Sequence, residues 1–114
     1  MSAITTSNHR LSLLTSTGTF YFCPEEIIRL KACSNYTTIF FAGNKKMLSA
    51  KVLKDFDTLL SPYGFVRTHR THLVNRQHVL CITPDGQIIM KDASVASISR
   101  RMKSRVIKTF NNAA

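Results

Sequence analysis

The segment Phe65–Val79, FVRTHRTHLVNRQHV, concentrates the side chains of this sequence that could do chemistry. Three histidines and three arginines stand among valines and a leucine, with no acidic residue and no glycine. Imidazole and guanidinium groups at this density can hold a metal, act as catalytic bases, or contact an anion such as phosphate. Each of these chemistries needs different neighbours, so the remaining sequence must decide between them.

The spacing of possible ligands argues against a metal. His69 and His72 are three residues apart in a segment of strand-like composition, and this spacing sends their side chains to opposite faces of a strand. No third ligand follows at the spacing of a zinc site. The three cysteines, Cys23, Cys33 and Cys81, form no CxxC pair and are expected to be reduced thiols. We therefore expect no metal and no cofactor.

A catalytic role lacks its partner groups. A histidine base needs a nucleophile and an orienting carboxylate. The six acidic residues lie at predicted helix starts, helix faces or turns, where solvation explains them. No GxSxG elbow, glycine-rich phosphate loop or pair of carboxylates occurs. We expect that the protein is not an enzyme.

The net charge favours an anionic partner. Sixteen Lys and Arg residues oppose six Asp and Glu, which gives a charge of +10 and a pI near 10.1. Such an excess favours nucleic acid first and an acidic membrane surface second. The apolar runs are far shorter than the roughly 20 residues of a spanning helix, and the N-terminus lacks the features of a secretory signal. We expect one domain, without a membrane segment, in the cytoplasm.

Short apolar runs separated by turn residues predict a mainly β domain. A hairpin is expected over residues 10–22 with its turn near Gly18, and a helical turn at Pro24. Two strands follow, joined at Ser34–Asn35, and Gly43–Asn44 makes a tight turn into the next strand. The segment over residues 64–75 is expected to be extended, either unbroken or with a break near Arg70–Thr71. A further hairpin turns at Pro84, Asp85 and Gly86.

Two short helices are predicted from apolar residues at helical spacing. Pro62 and Gly64 end the first helix, and Ser97 or Ser99 caps the second, which extends to about Lys108. The apolar stripe of the first helix comprises Val52, Leu53, Phe56, Leu59 and Leu60, and that of the second comprises Ile98, Met102 and Val106. The second helix also aligns three cations, which destabilise it unless an anion offsets them: Arg101, Arg105 and Lys108.

Contact with an anion is thus the interpretation that remains for the histidine- and arginine-rich segment. A break near Arg70–Thr71 would place Arg70 in a loop, where its paired donors could reach O6 and N7 of a guanine. The alternative is that Arg67 and Arg70 only decorate the surface. The acid-free basic helix face favours contact with phosphate.

Four motifs in order, IIRLKACSNYTTIFF, AKVLKDFDTLL, FVRTHRTHLVN and SISRRMK, resemble the LytTR-type DNA-binding domain, the output module of many bacterial response regulators. The third is the most specific and follows the pattern F-x-R-x-H-R-[S/T/G]-x-L-V-N. The resemblance covers about residues 14–108. It implies antiparallel β-sheets stacked into an elongated body with two short helices. It also implies binding of duplex DNA through loops and a helix end that enter successive major grooves.

The resemblance implies specific roles for individual residues. The base-reading positions of the family fall on Tyr36, Arg70 and Arg101. The neighbouring positions expected to contact phosphate are Asn35, Thr37, Thr71, Arg100, Lys103 and Arg105. His69 and Asn75 are expected to be structural. A redox-active cysteine pair of some family members is not matched, since Thr68 and Ala96 occupy those positions.

The expected organisation is a polar tail or linker over residues 1–9, the DNA-binding domain over 10–110 and a short tail over 111–114. The expected function is transcription regulation, as the effector domain of a two-component response regulator. Its expected partners are double-stranded DNA, a second copy on an adjacent half-site, and an upstream receiver domain in the full-length protein. One alternative is a module for RNA or single strands that stacks bases on Tyr36, Phe40 or Phe41. Another is a basic surface that binds an acidic protein.

Overall fold

The computed structural model describes residues 10–111, which form ten strands and two α-helices. The strands are β1 (Leu11–Thr15), β2 (Gly18–Phe22), β3 (Ile27–Cys33), β4 (Tyr36–Phe41), β5 (Lys45–Ser49), β6 (Phe65–His69), β7 (His72–Asn75), β8 (Val79–Ile82), β9 (Gln87–Met90) and β10 (Val95–Ser97). The helices are α1 (Leu53–Leu60) and α2 (Lys103–Asn111). All strand pairs among these residues are antiparallel, which confirms the predicted mainly β fold.

The predicted tails need one adjustment. Residues 1–9 and 112–114 lie outside the described residues, whereas Asn111, which we assigned to the C-terminal tail, is the last residue of α2. Strand β10 was not predicted, because three residues are too few to show an alternating pattern. Within residues 10–111 no helix has both the length and the apolar character needed to cross a membrane.

The strands form three sheets, and the largest lies in the middle. Its order is β5-β4-β3-β7-β6, while β1 and β2 form a separate hairpin and the third sheet has the order β10-β9-β8. One face of the five-stranded sheet packs against the hairpin and α1 in a first core cluster. Its other face packs against the three-stranded sheet and α2 in a second core cluster. The neighbours Leu73 and Val74 of β7 therefore point into different clusters, as alternation along a strand requires.

A bulge in β3 changes this alternation locally. Ile27 pairs with Phe41, but Arg29 pairs with Phe40, so one extra residue enters β3. The bulge allows Ile27 and Leu30 to face the first cluster although they are three residues apart. Arg29 points to the other side, where its Nε donates a 3.1 Å hydrogen bond to Ser94 and links two sheets.

Helix α1 forms where it was predicted, but fewer residues than predicted belong to its apolar stripe. Its buried residues are Leu53, Phe56 and Leu60, which belong to the first cluster. Val52 and Leu59, which we included in the stripe, are 47% and 39% exposed. Val52 is extended and precedes the helix as its N-cap, so it is not on the helical face. The helix passes into a 3-10 turn that ends at Gly64 with a φ of 88°, as predicted.

Helix α2 begins where a serine was predicted to cap it. The Oγ of Ser99 accepts a 3.1 Å hydrogen bond from the backbone N–H of Met102, which starts a 3-10 turn that continues into α2. The predicted stripe of Ile98, Met102 and Val106 packs against the second core cluster, and Phe110 extends it by one more turn. Burial of this stripe fixes the orientation of the basic face of α2.

Candidate nucleic-acid interface

The histidine- and arginine-rich segment forms a hairpin with Arg70 at its tip. Strands β6 and β7 are joined by the turn Arg70–Thr71, which confirms the predicted break, and Arg70 is exposed. The side chain of His69 stabilises the turn, because its Nδ1 accepts a 3.1 Å hydrogen bond from the backbone N–H of Thr71. The hydroxyl of Thr71 lies 2.9 Å from the same nitrogen. The guanidinium of Arg70 thus projects from a turn that its neighbours hold in place.

Arg67 supports the same turn from its other side. Its Nε donates to the carbonyl of His69 at 3.1 Å, and its Nη2 donates to the carbonyl of Arg70 at 2.7 Å. Its Nη1 lies 3.7 Å from Oδ2 of Asp57 on α1. The side chain is only 26% exposed. Arg67 is therefore folded against the turn, and does not merely decorate the surface.

His69 and His72 meet across the hairpin, so our expectation that they face opposite sides was wrong. They are partners in the register of β6 and β7, and their ring centroids are 5.5 Å apart in an edge-to-face arrangement. The cause is a register shift between Arg67 and His69, which an ideal strand does not have. Residues 10–111 contain no group of three or more His, Cys, Asp or Glu side chains placed to hold a metal.

The environment of His72 strongly disfavours its protonated form. Burial lowers the pKa of His72 from 6.5 to about 4, and the nearby charges of His69, Arg29 and Lys31 act in the same direction. The folded protein therefore holds His72 neutral at a pH where an unfolded chain would protonate it.

This pKa predicts a loss of stability in mild acid. A histidine with a lowered folded-state pKa contributes its full stabilisation above pH 6.5, and the contribution falls as the pH drops from 6.5 towards 4. Urea unfolding between pH 7 and pH 4.5 should show this decline in the free energy of unfolding. The His72→Leu variant should show a shallower decline. Parallel curves for the two proteins would contradict the assignment to His72.

Tyr36 lies beside Arg70, although 34 residues separate them in sequence. The turn Ser34–Asn35, in which Ser34 has a φ of 55°, leads into β4 and leaves Tyr36 49% exposed. A cleft of about 460 Å³ is lined by Tyr36 and Arg70 together, with Lys54 of α1 and Arg67. The structure therefore brings together the first two candidates for base reading.

A second cleft connects Arg70 to Arg101. It measures about 520 Å³ and is lined by Arg67, Arg70, Arg100 and Arg101 along with His69, Ser99 and Met102. A third cleft of about 540 Å³ continues along α2 between Arg101, Arg105 and Lys108.

Shared arginines make the three clefts one continuous surface. We call its main side chains the basic rim: Tyr36, Lys54, Arg67, Arg70, Arg100, Arg101, Arg105 and Lys108. None of the residues that line the three clefts is an aspartate or a glutamate. The surface is thus a positively charged groove, and the carboxylate of Asp57, 3.7 Å from Arg67, is not among its lining residues.

The six candidates for phosphate contact differ in their accessibility. Asn35, Arg100 and Arg105 are exposed, and Thr71 is half-buried at the hairpin turn. The ammonium of Lys103 donates to the carbonyl of Pro84 at 2.9 Å, so the loop of the β8–β9 hairpin already uses one of its three donors.

Thr37 does not fit the role we expected for it. It is fully buried, and its Oγ1 donates a 2.8 Å hydrogen bond to the carbonyl of Lys51. Its position directly after Tyr36 turns its side chain to the opposite face of β4. The sequence reasoning also missed Lys54, which belongs to the basic rim and whose only sequence signal is a charge on the exposed side of α1.

Asn75 is a structural residue, as the resemblance implied. Its side chain is 1% exposed, and its Nδ2 donates to the carbonyls of Ile27 at 3.0 Å and Pro24 at 3.4 Å. Its Oδ1 accepts from the backbone N–H of Gln77 at 3.0 Å and caps the 3-10 turn after β7. One amide therefore joins the end of β7 to the start of β3.

Two of the three aromatic side chains considered for base stacking, Phe40 and Phe41, pack against other side chains. The guanidinium carbon of Arg29 lies 4.1 Å from the ring centroid of Phe40 and covers it. Phe41 packs edge-to-face on Phe22, at 5.8 Å, beside the first core cluster. Of the three aromatic residues considered for base stacking, only Tyr36 is exposed.

Comparison with known proteins agrees with this geometry. The sequence matches the family described as LytTr DNA-binding domain over residues 4–111. A similar solved structure, from Bacillus cereus, is described as the LytTr DNA-binding domain of a methyl-accepting/DNA response regulator; it has a TM-score of 0.76 and 23% identity, and the alignment covers 88% of this chain and 94% of that one. No curated protein matches. The structural likeness shows a shared fold, and because the family match covers nearly the whole sequence, the chain belongs to the LytTr DNA-binding domain family.

Proposed function

We propose that this domain regulates transcription by binding a specific sequence of duplex DNA. The observation that supports the proposal most directly is the basic rim, where three clefts without a carboxylate connect Tyr36, Arg70 and Arg101. Cations along such a groove release the counterions of DNA and position the protein on the phosphates. Side chains that project between them can then contact the edges of bases.

Each of the three central side chains suits a different contact in the major groove. Arg70 projects from a tight turn, and its parallel donors match O6 and N7 of guanine. Arg101 lies in the 3-10 turn at the start of the last helix, where it can reach bases from the tip of the helix. Tyr36 offers a hydroxyl and an apolar ring that suits the methyl group of thymine.

We further propose that the domain acts in the cytoplasm as the effector of a two-component response regulator. A single domain contacts a short sequence, so two copies on adjacent half-sites would supply the specificity of a regulator. A receiver domain upstream in the full-length protein would bring the copies together. The description of the Bacillus cereus protein as a response regulator supports this part of the proposal.

Selection from random duplex DNA, followed by footprinting, tests the proposal. The expected result is a defined motif, repeated once at a fixed spacing if two copies bind. Competition with single-stranded DNA and with RNA of the same sequence should leave the duplex complex intact. Equal competition by single strands would favour a stacking module, and absence of any DNA affinity at moderate salt would favour an acidic protein partner.

Arg105→Ala tests the contribution of phosphate contacts. Arg105 is exposed on α2 and lines the third cleft, so its loss should weaken binding to all duplexes alike. The slope of log K against log salt concentration should become shallower by about one, the value for one lost phosphate contact. Fluorescence anisotropy at several salt concentrations measures both effects. An unchanged salt slope would remove Arg105 from the interface.

A further inference from the structure

We propose that Arg67 is a positioning residue that fixes the base-reading geometry of Arg70 without contacting DNA itself. The inference rests on the proposed function, because it concerns how the β6–β7 turn presents Arg70. It assigns to Arg67 a role distinct from that of the other arginines of the basic rim.

The contacts of Arg67 are directed at the turn and not outward. Two of its nitrogens donate to the consecutive carbonyls of His69 and Arg70, at 3.1 and 2.7 Å. The third nitrogen lies 3.7 Å from Oδ2 of Asp57 on α1, a partly exposed pair that contributes little compared with the two hydrogen bonds. About three quarters of the side chain is covered, since 26% of it is exposed. These contacts use two of the five N–H donors of the guanidinium and direct the group towards the turn.

Two further hydrogen bonds, both made by Thr68, hold the end of β6 next to the turn. The Oγ1 of Thr68 donates to the carbonyl of Ser97 at 3.0 Å, and the backbone N–H of Ser99 donates to the carbonyl of Thr68 at 2.9 Å. These bonds tie the bulge of β6 to the segment that leads into α2. Arg67 completes the restraint at the two carbonyls nearest the tip. With both sides held, the Cα of Arg70 has a defined position relative to α1 and to the start of α2.

Such restraint matters most for a contact that must discriminate between bases. A guanidinium that pairs with two acceptors of one base needs the Cα of its residue held in a defined position. A mobile turn would lose conformational entropy on binding. Arginine suits position 67, because its planar fork holds the Nε and Nη2 donors in fixed directions towards two separate carbonyls. A lysine would keep the charge but would offer one compact ammonium.

The experiment compares Arg67→Lys, Arg67→Gln and Asp57→Asn with the wild type. Each protein is titrated with the selected duplex and with the same duplex changed at the base pair read by Arg70. The ratio of the two affinities is the readout, because a variant with a general folding defect loses affinity for both duplexes. Circular dichroism and thermal unfolding establish that each variant is folded.

Positioning predicts that Arg67→Lys and Arg67→Gln both lower the affinity ratio roughly tenfold, within the range of coupling between neighbouring residues. In an Arg70→Ala background, the same substitutions should leave the ratio unchanged, since no base contact remains to be positioned. Asp57→Asn, which keeps both hydrogen bonds of Arg67 to the turn, should alter the ratio by less than about twofold.

Two outcomes would overturn the inference in distinguishable ways. If Arg70→Ala removes the discrimination but Arg67→Lys keeps it, with Arg67→Gln only making the salt slope shallower, Arg67 is a direct phosphate contact. The proposed function would then stand and the positioning role would fail. If the wild type itself binds both duplexes equally, the reading role of Arg70 is wrong, and the inference fails with it.

Discussion

Arg70→Ala is expected to lower affinity for the selected duplex by about 1–3 kcal/mol, which corresponds to roughly 5- to 150-fold. Arg70 is exposed at the tip of the β6–β7 hairpin and lines both clefts that connect Tyr36 with Arg101. Removal of its side chain leaves the turn intact, because Arg67 binds its backbone carbonyl. The affinity for random duplexes should fall much less, so discrimination is lost at one base pair.

Lys46→Ala is the matched control for this prediction. Lys46 is an exposed cation of β5 that pairs with Phe40, towards the end of β4 that is remote from Tyr36. Its removal changes the net charge as Arg70→Ala does, but not at the basic rim. We expect a change of less than about twofold at moderate salt, because remote surface charges are screened. If the two variants lose the same affinity on both cognate and random DNA, Arg70 acts only through its charge.

Asn75→Ala is expected to lower the free energy of unfolding by roughly 3 kcal/mol, a large effect for one substitution. The amide of Asn75 is buried and makes three hydrogen bonds to the backbone of Pro24, Ile27 and Gln77. Alanine removes these partners and leaves buried backbone groups unpaired, which costs their full desolvation. Urea denaturation measured by circular dichroism gives the value.

Asn35→Ala provides the comparison for stability. Asn35 occupies an exposed turn between β3 and β4, so its truncation should change the unfolding free energy by no more than about 0.5 kcal/mol. Asn75→Asp should be at least as destabilising as Asn75→Ala, since a carboxylate cannot donate to the two carbonyls. A stable Asn75→Asp variant would mean that the amide donors are not what holds β7 to the start of β3.

Local signals in the sequence were sufficient for most elements of the fold. Turn residues such as Gly18, Gly64 and Gly86 mark the ends of strands and helices because they favour backbone conformations with positive φ. The helical spacing of Leu53, Phe56 and Leu60 is likewise a local property. These features depend on residues a few positions apart, so a single sequence contains them.

The features that sequence reasoning missed depend on the folded backbone and not on residue types alone. His69 and His72 are paired because β6 contains a bulge. No residue type in β6 indicates where that bulge lies. The buried hydroxyl of Thr37 donates to the carbonyl of Lys51, which follows β5. This contact depends on the pairing of β5 with β4. Arg67 was visible as a cation, but its bonds to the hairpin turn and its approach to Asp57 require the folded chain.

In the candidate site, too, some features are visible in the sequence and others only in the fold. Tyr36, Arg70 and Arg101 were named from a resemblance between motifs, and their roles in base contact remain proposals. The fold adds that they lie along connected clefts, which no spacing in the sequence could indicate. Lys54 joins them only because α1 packs beside the β6–β7 turn.

The layered packing of the domain also sets the spacing of its candidate contact residues. Tyr36 and the turn that carries Arg70 belong to the five-stranded sheet, whereas Arg101 precedes a helix that rests on the second core cluster through Met102 and Val106. Two hydrogen bonds of Thr68, to Ser97 and Ser99, join the hairpin that carries Arg70 to the start of that helix. The distance between Arg70 and Arg101 therefore depends on these bonds together with the buried side chains beneath α2. Under the proposed function, a substitution in that interior that shifts α2 would change the affinity for DNA with every surface residue unchanged.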